Sequence, residues 1–172
     1  MHLAGFSAKT DALSLLNLAI GESKSYSLSG EIYFNEDYSL NVDMSLETEE
    51  HNDVNRIQKR FTSQLRWYFK QDDCSCSAFF TGIYFSNVHI SQSVDHQHPF
   101  GHAVDYNRSS FEGGLCSGYQ AIIARHFVID PAVQAGLEFY HKTQSTEPMS
   151  GLADSDKKGL VVRMQLGIGY RF

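Results

Sequence analysis

No stretch of this chain approaches the ~20 consecutive apolar residues that a membrane-crossing helix requires, and the mean hydropathy is −0.31. A helical span is therefore excluded. Proline is scarce, with 3 in 172 residues, so few positions interrupt regular backbone structure. Basic charge is also short: the net charge is −6 and the isoelectric point near 5.7, which argues against nucleic acid as a partner. Residues 1–21 contain neither a basic n-region nor a continuous apolar h-region. Together with the strand pattern below, this leads us to expect an exported chain whose leader is already removed. Cysteine is limited to Cys74, Cys76 and Cys116, an odd number that leaves at least one thiol unpaired within the chain. No further ligands stand near the Cys74-Ser75-Cys76 turn at metal-site spacing, so no metal centre is expected there. What is present is 42% hydrophobic, 20% charged and 13% aromatic residues, the composition of one folded β domain over 1–172 and not of a disordered chain.

Apolar and polar residues alternate along most of the sequence, the period of a β-strand. The C-terminus is clearest: Leu160, Val162, Met164, Leu166, Ile168, Tyr170 and Phe172 oppose Val161, Arg163, Gln165, Gly167, Gly169 and Arg171. Residues 61–70, 38–47 and 25–34 repeat the pattern, and weaker versions occupy 3–13, 78–89, 112–123 and 127–140. Pro131 predicts an irregular start or a bulge in the last of these, and Tyr140 falls on its polar face. Eight strands result. Short connections at 35–37, 71–77 and 124–126 alternate with long ones at 14–24, 48–60, 90–111 and 141–159. That asymmetry is the one shown by outer-membrane barrels, with short periplasmic turns and long extracellular loops.

A soluble lipocalin-like barrel also alternates, with its apolar face inside. Three features favour the inverse arrangement. The apolar face carries no charge in the eight predicted segments, aromatics gather at the ends of its stripes, and the opposite face carries Gly, Ser and charges of both signs. Gly82, Gly114, Gly118, Gly136, Gly167 and Gly169 all fall on that polar face, as a crowded lumen requires. The expected fold is an all-β, eight-stranded, antiparallel, up-and-down transmembrane β-barrel with both termini periplasmic. Closure leaves no backbone group unpaired in hydrocarbon. Trp67, Tyr119, Tyr170 and Phe172 then face lipid. Lys9, Asp11, Glu31, Asp43, Arg66, Glu112, Glu138, Arg163 and Arg171 form an interior ion-pair network that fills the lumen, which argues against a porin.

The terminal Tyr170-Arg171-Phe172 resembles the C-terminal signal of bacterial outer-membrane proteins. Ala8-Lys9-Thr10-Asp11, Gln64-Leu65-Arg66-Trp67-Tyr68, Phe80-Thr81-Gly82-Ile83, Gly118-Tyr119-Gln120, Leu137-Glu138-Phe139 and Gly167-Ile168-Gly169-Tyr170 resemble a family of uncharacterised small outer-membrane barrels found mainly in Bacteroidota. The resemblance covers most of the chain. It implies an outer-membrane location, contact of Phe172 with the barrel-assembly machinery, and outer-membrane lipid, lipopolysaccharide and other envelope proteins as partners. It carries no established catalytic residues. Asp11 departs from the amide residue expected there, and the Cys74/Cys76 turn is also unusual.

Candidate chemistry is sparse. Asp95, His96, His98 and His102 form a donor-rich loop cluster, but their spacing in a loop enforces no metal geometry. A solvated loop or a contact surface for another envelope protein is the plainer reading. An enzyme of the lipid A deacylase type would need a lipid-facing His and Ser oriented by a carboxylate. Here His141, Thr143, Ser145 and Glu138 are only an imitation of that set, and His126 has no neighbouring serine. No cofactor is expected. The expected role is a non-enzymatic structural or accessory barrel in a larger envelope complex.

Overall fold

A computed structural model describes residues 5–12, 14, 24–51, 54–70, 77–94, 104–145 and 159–172. Its eight strands are β1 (Gly5–Asp11), β2 (Lys24–Tyr33), β3 (Tyr38–His51), β4 (Val54–Lys70), β5 (Ala78–Val94), β6 (Val104–Ile123), β7 (Phe127–Ser145) and β8 (Leu160–Arg171). Each pairs antiparallel with its sequence neighbours, and β1 closes on β8. The register gives the stagger. From Ala8 the ladder passes through Gly30, Val42, Ser63, Phe85, Gly113 and Leu137 to Leu160, whereas Ala8 itself pairs with Tyr170, ten residues away. A shear of that size in an eight-stranded barrel tilts the strands by about 40°. The ladder therefore climbs about 3 Å per strand toward the end that carries the β1–β2, β3–β4, β5–β6 and β7–β8 connections.

The apolar face is outside. Phe61, Leu65, Trp67, Phe79, Ile83, Phe85, Leu115, Phe127, Val133, Val162 and Met164 are all exposed, while Ser7, Lys9, Glu31, Asn41, Gln64 and Arg66 are buried. Outward aromatic pairs ring the end with the short turns: Phe79 and Tyr119 at 4.7 Å, Trp67 and Phe69 at 5.1 Å, Tyr170 and Phe172 at 5.0 Å. The interior is a filled core. Arg66, Tyr84, Phe80, Gln64 and Glu31 are its largest fully buried side chains. Space for them comes from glycine: a Cβ at Gly136 would collide with the Gly113 carbonyl and the Tyr84 hydroxyl.

Three expectations need correction. The strands extend into the segments expected as loops at 48–60, 90–111 and 141–159. β3 and β4 run on until only residues 52–53 separate them, β5 reaches Val94, β6 starts at Val104, and β7 reaches Ser145. Alternation fades there because both faces are polar, yet backbone pairing continues without an apolar face. Strands β4 to β7, of 17 to 20 residues, exceed the ~9–11 residues that cross a bilayer, and the excess lies at one end. Second, Pro131 marks no bulge: Gly118↔Ala132 and Ala121↔Ile129 flank it in one unbroken register. Its ring faces out and its missing N–H costs the ladder locally. Third, the irregularity lies further on, where Phe111 pairs with Tyr140 but Glu112 with Glu138. The extra residue puts Phe139 and Tyr140 both outside, 53% and 51% exposed, so Tyr140 packs tilted against Phe111 at 6.0 Å and leaves the polar face.

The β6–β7 hairpin turns through Ala124 (φ 51°) and Arg125 (φ 70°), and the His126 N–H donates to the Ile123 carbonyl at 3.2 Å. Positive φ at both central positions is a type I′ turn, which favours Asn-Gly. Left-handed backbone costs an ordinary L-residue roughly 1–2 kcal/mol. Replacing Ala124→Asn together with Arg125→Gly is expected to stabilise the barrel by about 1–2 kcal/mol, read as a higher urea midpoint. An unchanged or lower midpoint would show that the turn carries no such strain.

Candidate functional site

The half of the lumen nearer the short turns holds four charges in mutual contact. β1 supplies Lys9, β2 Glu31, β4 Arg66 and β7 Asp130. Lys9 Nζ lies 2.6 Å from Glu31 Oε2 and 2.5 Å from Asp130 Oδ2; Arg66 Nη1 lies 2.6 Å from Asp130 Oδ2 and 3.5 Å from Glu31 Oε2. Strand parity explains the convergence, because each residue occupies an inward position on its strand. Glu31 is the hub. It also accepts hydrogen bonds from Ser39, from Tyr68 at 2.5 Å, from Tyr33 at 3.1 Å and from Gln120 at 2.9 Å. The Arg66 guanidinium donates through Nε to Gln64 at 2.9 Å and lies 4.2 Å over the Phe80 ring. The cluster is charge-balanced, and its four side chains are at most 3% exposed. Such a group has no access to substrate. Its chemistry is that of a lock joining four strands across the lumen.

Toward the other end the lumen loosens. Arg163 contacts Glu112, Gln165 Nε2 donates to Asp43 at 3.3 Å, and the Asp11 carboxylate accepts the Leu166 N–H at 3.3 Å. A cavity of about 200 Å³ remains, lined by Asp11, Ser25, Asp43, Arg60, Arg163 and Gln165 among others. Arg108 grips Glu138 through both carboxylate oxygens, at 2.6 and 2.7 Å.

Of the interior candidates, Lys9, Glu31 and Arg66 meet in the first region, and Asp11, Asp43, Glu112, Glu138 and Arg163 lie in the second. Arg171 belongs to neither: its guanidinium lies 4.7 Å over the Tyr33 ring. Asp130 and Arg108 are the functional residues missing from the expected set. Asp130 carries an inward charge on β7 and was legible by parity. Arg108 was not, because 104–111 reads as loop. The lipid-facing candidates Trp67, Tyr119, Tyr170 and Phe172 all lie on outward positions, Phe172 against Phe6 at 6.1 Å. Asp95, His96, His98 and His102 lie outside the described residues, as do Cys74 and Cys76; Cys116 is a buried free thiol. Glu138, the carboxylate of the imitation hydrolase set, faces inward and is held by Arg108. His126 stacks on Tyr170 at 5.1 Å and its Nδ1 contacts the Arg171 carbonyl at 3.1 Å, an anchor for the end of β8.

No family model and no curated protein matches the chain. Solved structures do. The outer-membrane protein OprG of Pseudomonas aeruginosa aligns over 98% of this chain and 92% of its own, with TM-score 0.54 and 11% identity. A major outer-membrane protein of Thermus thermophilus aligns over 98% of both chains, with TM-score 0.54 and 14% identity. Ail, the attachment invasion locus protein of Yersinia pestis, aligns over 98% and 94%, with TM-score 0.50 and 15% identity. The fold is that of the small outer-membrane barrels.

Proposed function

We propose that this protein is a non-porin barrel of the bacterial outer membrane with a structural or accessory role, working through its outer wall and its loop-side end in contact with outer-membrane lipid and other envelope proteins. The observation that carries the reading is a sealed lumen inside an apolar wall. Outward stripes run ten residues from the short-turn end to the first polar outward position on β2 and β3, Phe34 to Lys24 and Tyr38 to Thr48, and to the first Lys or His on β4 and β5, Phe69 to Lys59 and Phe79 to His89, with the small polar residues Ser63, Thr81 and Asn87 between. At the barrel's tilt ten residues rise about 25 Å, the height of an outer-membrane apolar band. The strands outrun this band only at the end opposite the short turns, so that end is extracellular in the usual orientation. The interior lock leaves no room for a channel, so function lies on the surface. The short strand motifs resembling the small Bacteroidota barrels support the same reading.

Two results are expected. The protein fractionates with outer membranes and migrates differently on a gel before and after boiling; recovery as a detergent-independent soluble protein would refute the location. Replacing residues 95–103, which hold Asp95, His96, His98 and His102, with a short Gly/Ser linker leaves the barrel heat-modifiable and removes a loop-side partner from a mild-detergent pull-down. The substitution must stop at these residues, since 90–94 and 104–111 pair as strand. Retention of the partner would move the contact to the wall around Trp67, Phe79 and Tyr119.

A further inference from the structure

The outer wall holds a groove that the accessory reading does not use. It lies across β2, β3, β4 and the adjoining edge of β5, has a volume of about 540 Å³, and is floored by Tyr26, Leu28, Met44, Leu46 and Phe61. Lys59, Asn87 and His89 line its extracellular rim. Lys59 pairs in register with Leu46 on one side and His89 on the other. His89 is fixed there by Ser109 at 2.9 Å and Ser91 at 3.3 Å. Lys24 stands two residues above Tyr26 on β2 and, through Thr48, is level in the ladder with Ile57. Because the ladder climbs about 3 Å per strand, Lys24 and Lys59 reach about the same height, roughly 10 Å apart around the wall. Both are exposed, and neither ion-pairs with a described residue.

We propose that this groove binds a phosphorylated glycolipid of the outer leaflet, of the lipid A class, with an acyl chain along Leu28, Met44 and Phe61 and a phosphate between Lys24 and Lys59. Charge and depth argue together. An apolar trough ending in two cations at the upper limit of a ~25 Å band matches a molecule whose hydrocarbon ends in an anionic headgroup. Lysine fits as a point charge for phosphate at the end of a flexible stem that lies over apolar surface. The inference rests on the outer-membrane reading, which heat-modifiability and insertion into vesicles test separately.

The experiment uses the full chain folded in nanodiscs, with binding measured by native mass spectrometry. The probes are bis-phosphorylated lipid A, the same lipid A after removal of its phosphates, and inorganic phosphate. Lipid A is expected to bind at least tenfold more tightly than either of the others. Lys24→Glu with Lys59→Glu is expected to abolish that preference, while Lys142→Glu, about 9 Å higher on the wall, changes it less than twofold. Lys24→Gln with Lys59→Gln serves if the reversed charges prevent folding, and should weaken lipid A at least fivefold. Equal binding of the dephosphorylated lipid, binding of inorganic phosphate as tight as that of lipid A, or an unchanged affinity in the folded lysine variants would each overturn the proposal. A protein that fails to insert at all refutes the location and the site together.

Discussion

Glu31→Ala is expected to destabilise the barrel by about 3–5 kcal/mol, the cost of removing one partner from a buried ion cluster. The side chain is fully buried and accepts from Lys9, Ser39, Tyr33, Tyr68 and Gln120. Its removal leaves Lys9 and Arg66 sharing Asp130 alone, one net positive charge in a fully buried cluster. Tyr68→Phe removes only one of the donors and should cost about 1.5–3 kcal/mol, the range for a hydrogen bond to a charged group. The decisive comparison is the double variant Lys9→Ala with Glu31→Ala. It restores neutrality around the Arg66–Asp130 contact of 2.6 Å, so its cost should fall short of the summed single costs by about 1–3 kcal/mol. Urea unfolding in lipid vesicles reads these three and the single Lys9→Ala that completes the cycle, with Trp67 as the sole tryptophan reporter. Additive losses would show that Lys9 and Glu31 act independently and that the lock is not a unit.

That lock shows where sequence reading reaches its limit. Parity placed Lys9, Glu31 and Arg66 on the inward face, because a period of two follows from strand geometry alone. It did not say which would meet. Lys9 and Asp130 lie 121 positions apart, and their contact depends on the shear accumulated around the barrel. The same limit separates Arg163–Glu112 from the lower cluster and gives Glu138 to Arg108.

The strand ends failed for a different reason. Hydrophobic alternation marks a strand only while one face meets an apolar environment. At Thr48–Ile57, Ser91–Asn107 and Ser109–Lys142 the ladder runs on between two polar faces, and backbone hydrogen bonds leave no trace in composition. The Phe139/Tyr140 bulge was hidden too, since both residues are aromatic and one outward step looks like continued alternation. The β6–β7 turn carries neither Asn nor Gly, so its type I′ geometry is visible only in the backbone.

Leu115→Arg tests the whole in-out assignment and should cost about 2–4 kcal/mol in lipid, the penalty for arginine near the bilayer midplane on a barrel's outer face. Leu115 points outward, is 66% exposed, and sits between Ile83 and Ala135. It lies four residues above Tyr119 on β6, and the climb of the ladder from Phe69 sets it about 16 Å into the ~25 Å band. The guanidinium there can reach neither the lumen, closed off by the strand's own backbone, nor either boundary without bending its stem through hydrocarbon. Asn107→Arg, on the same strand and face but eight residues nearer the loops, should cost about 0–1 kcal/mol, because that position clears the apolar band. Depth dependence is the signature of a bilayer. A wall facing water would accept arginine equally at both positions, so equal small costs for Leu115→Arg and Asn107→Arg in folded protein would remove the membrane from the account while leaving the barrel intact.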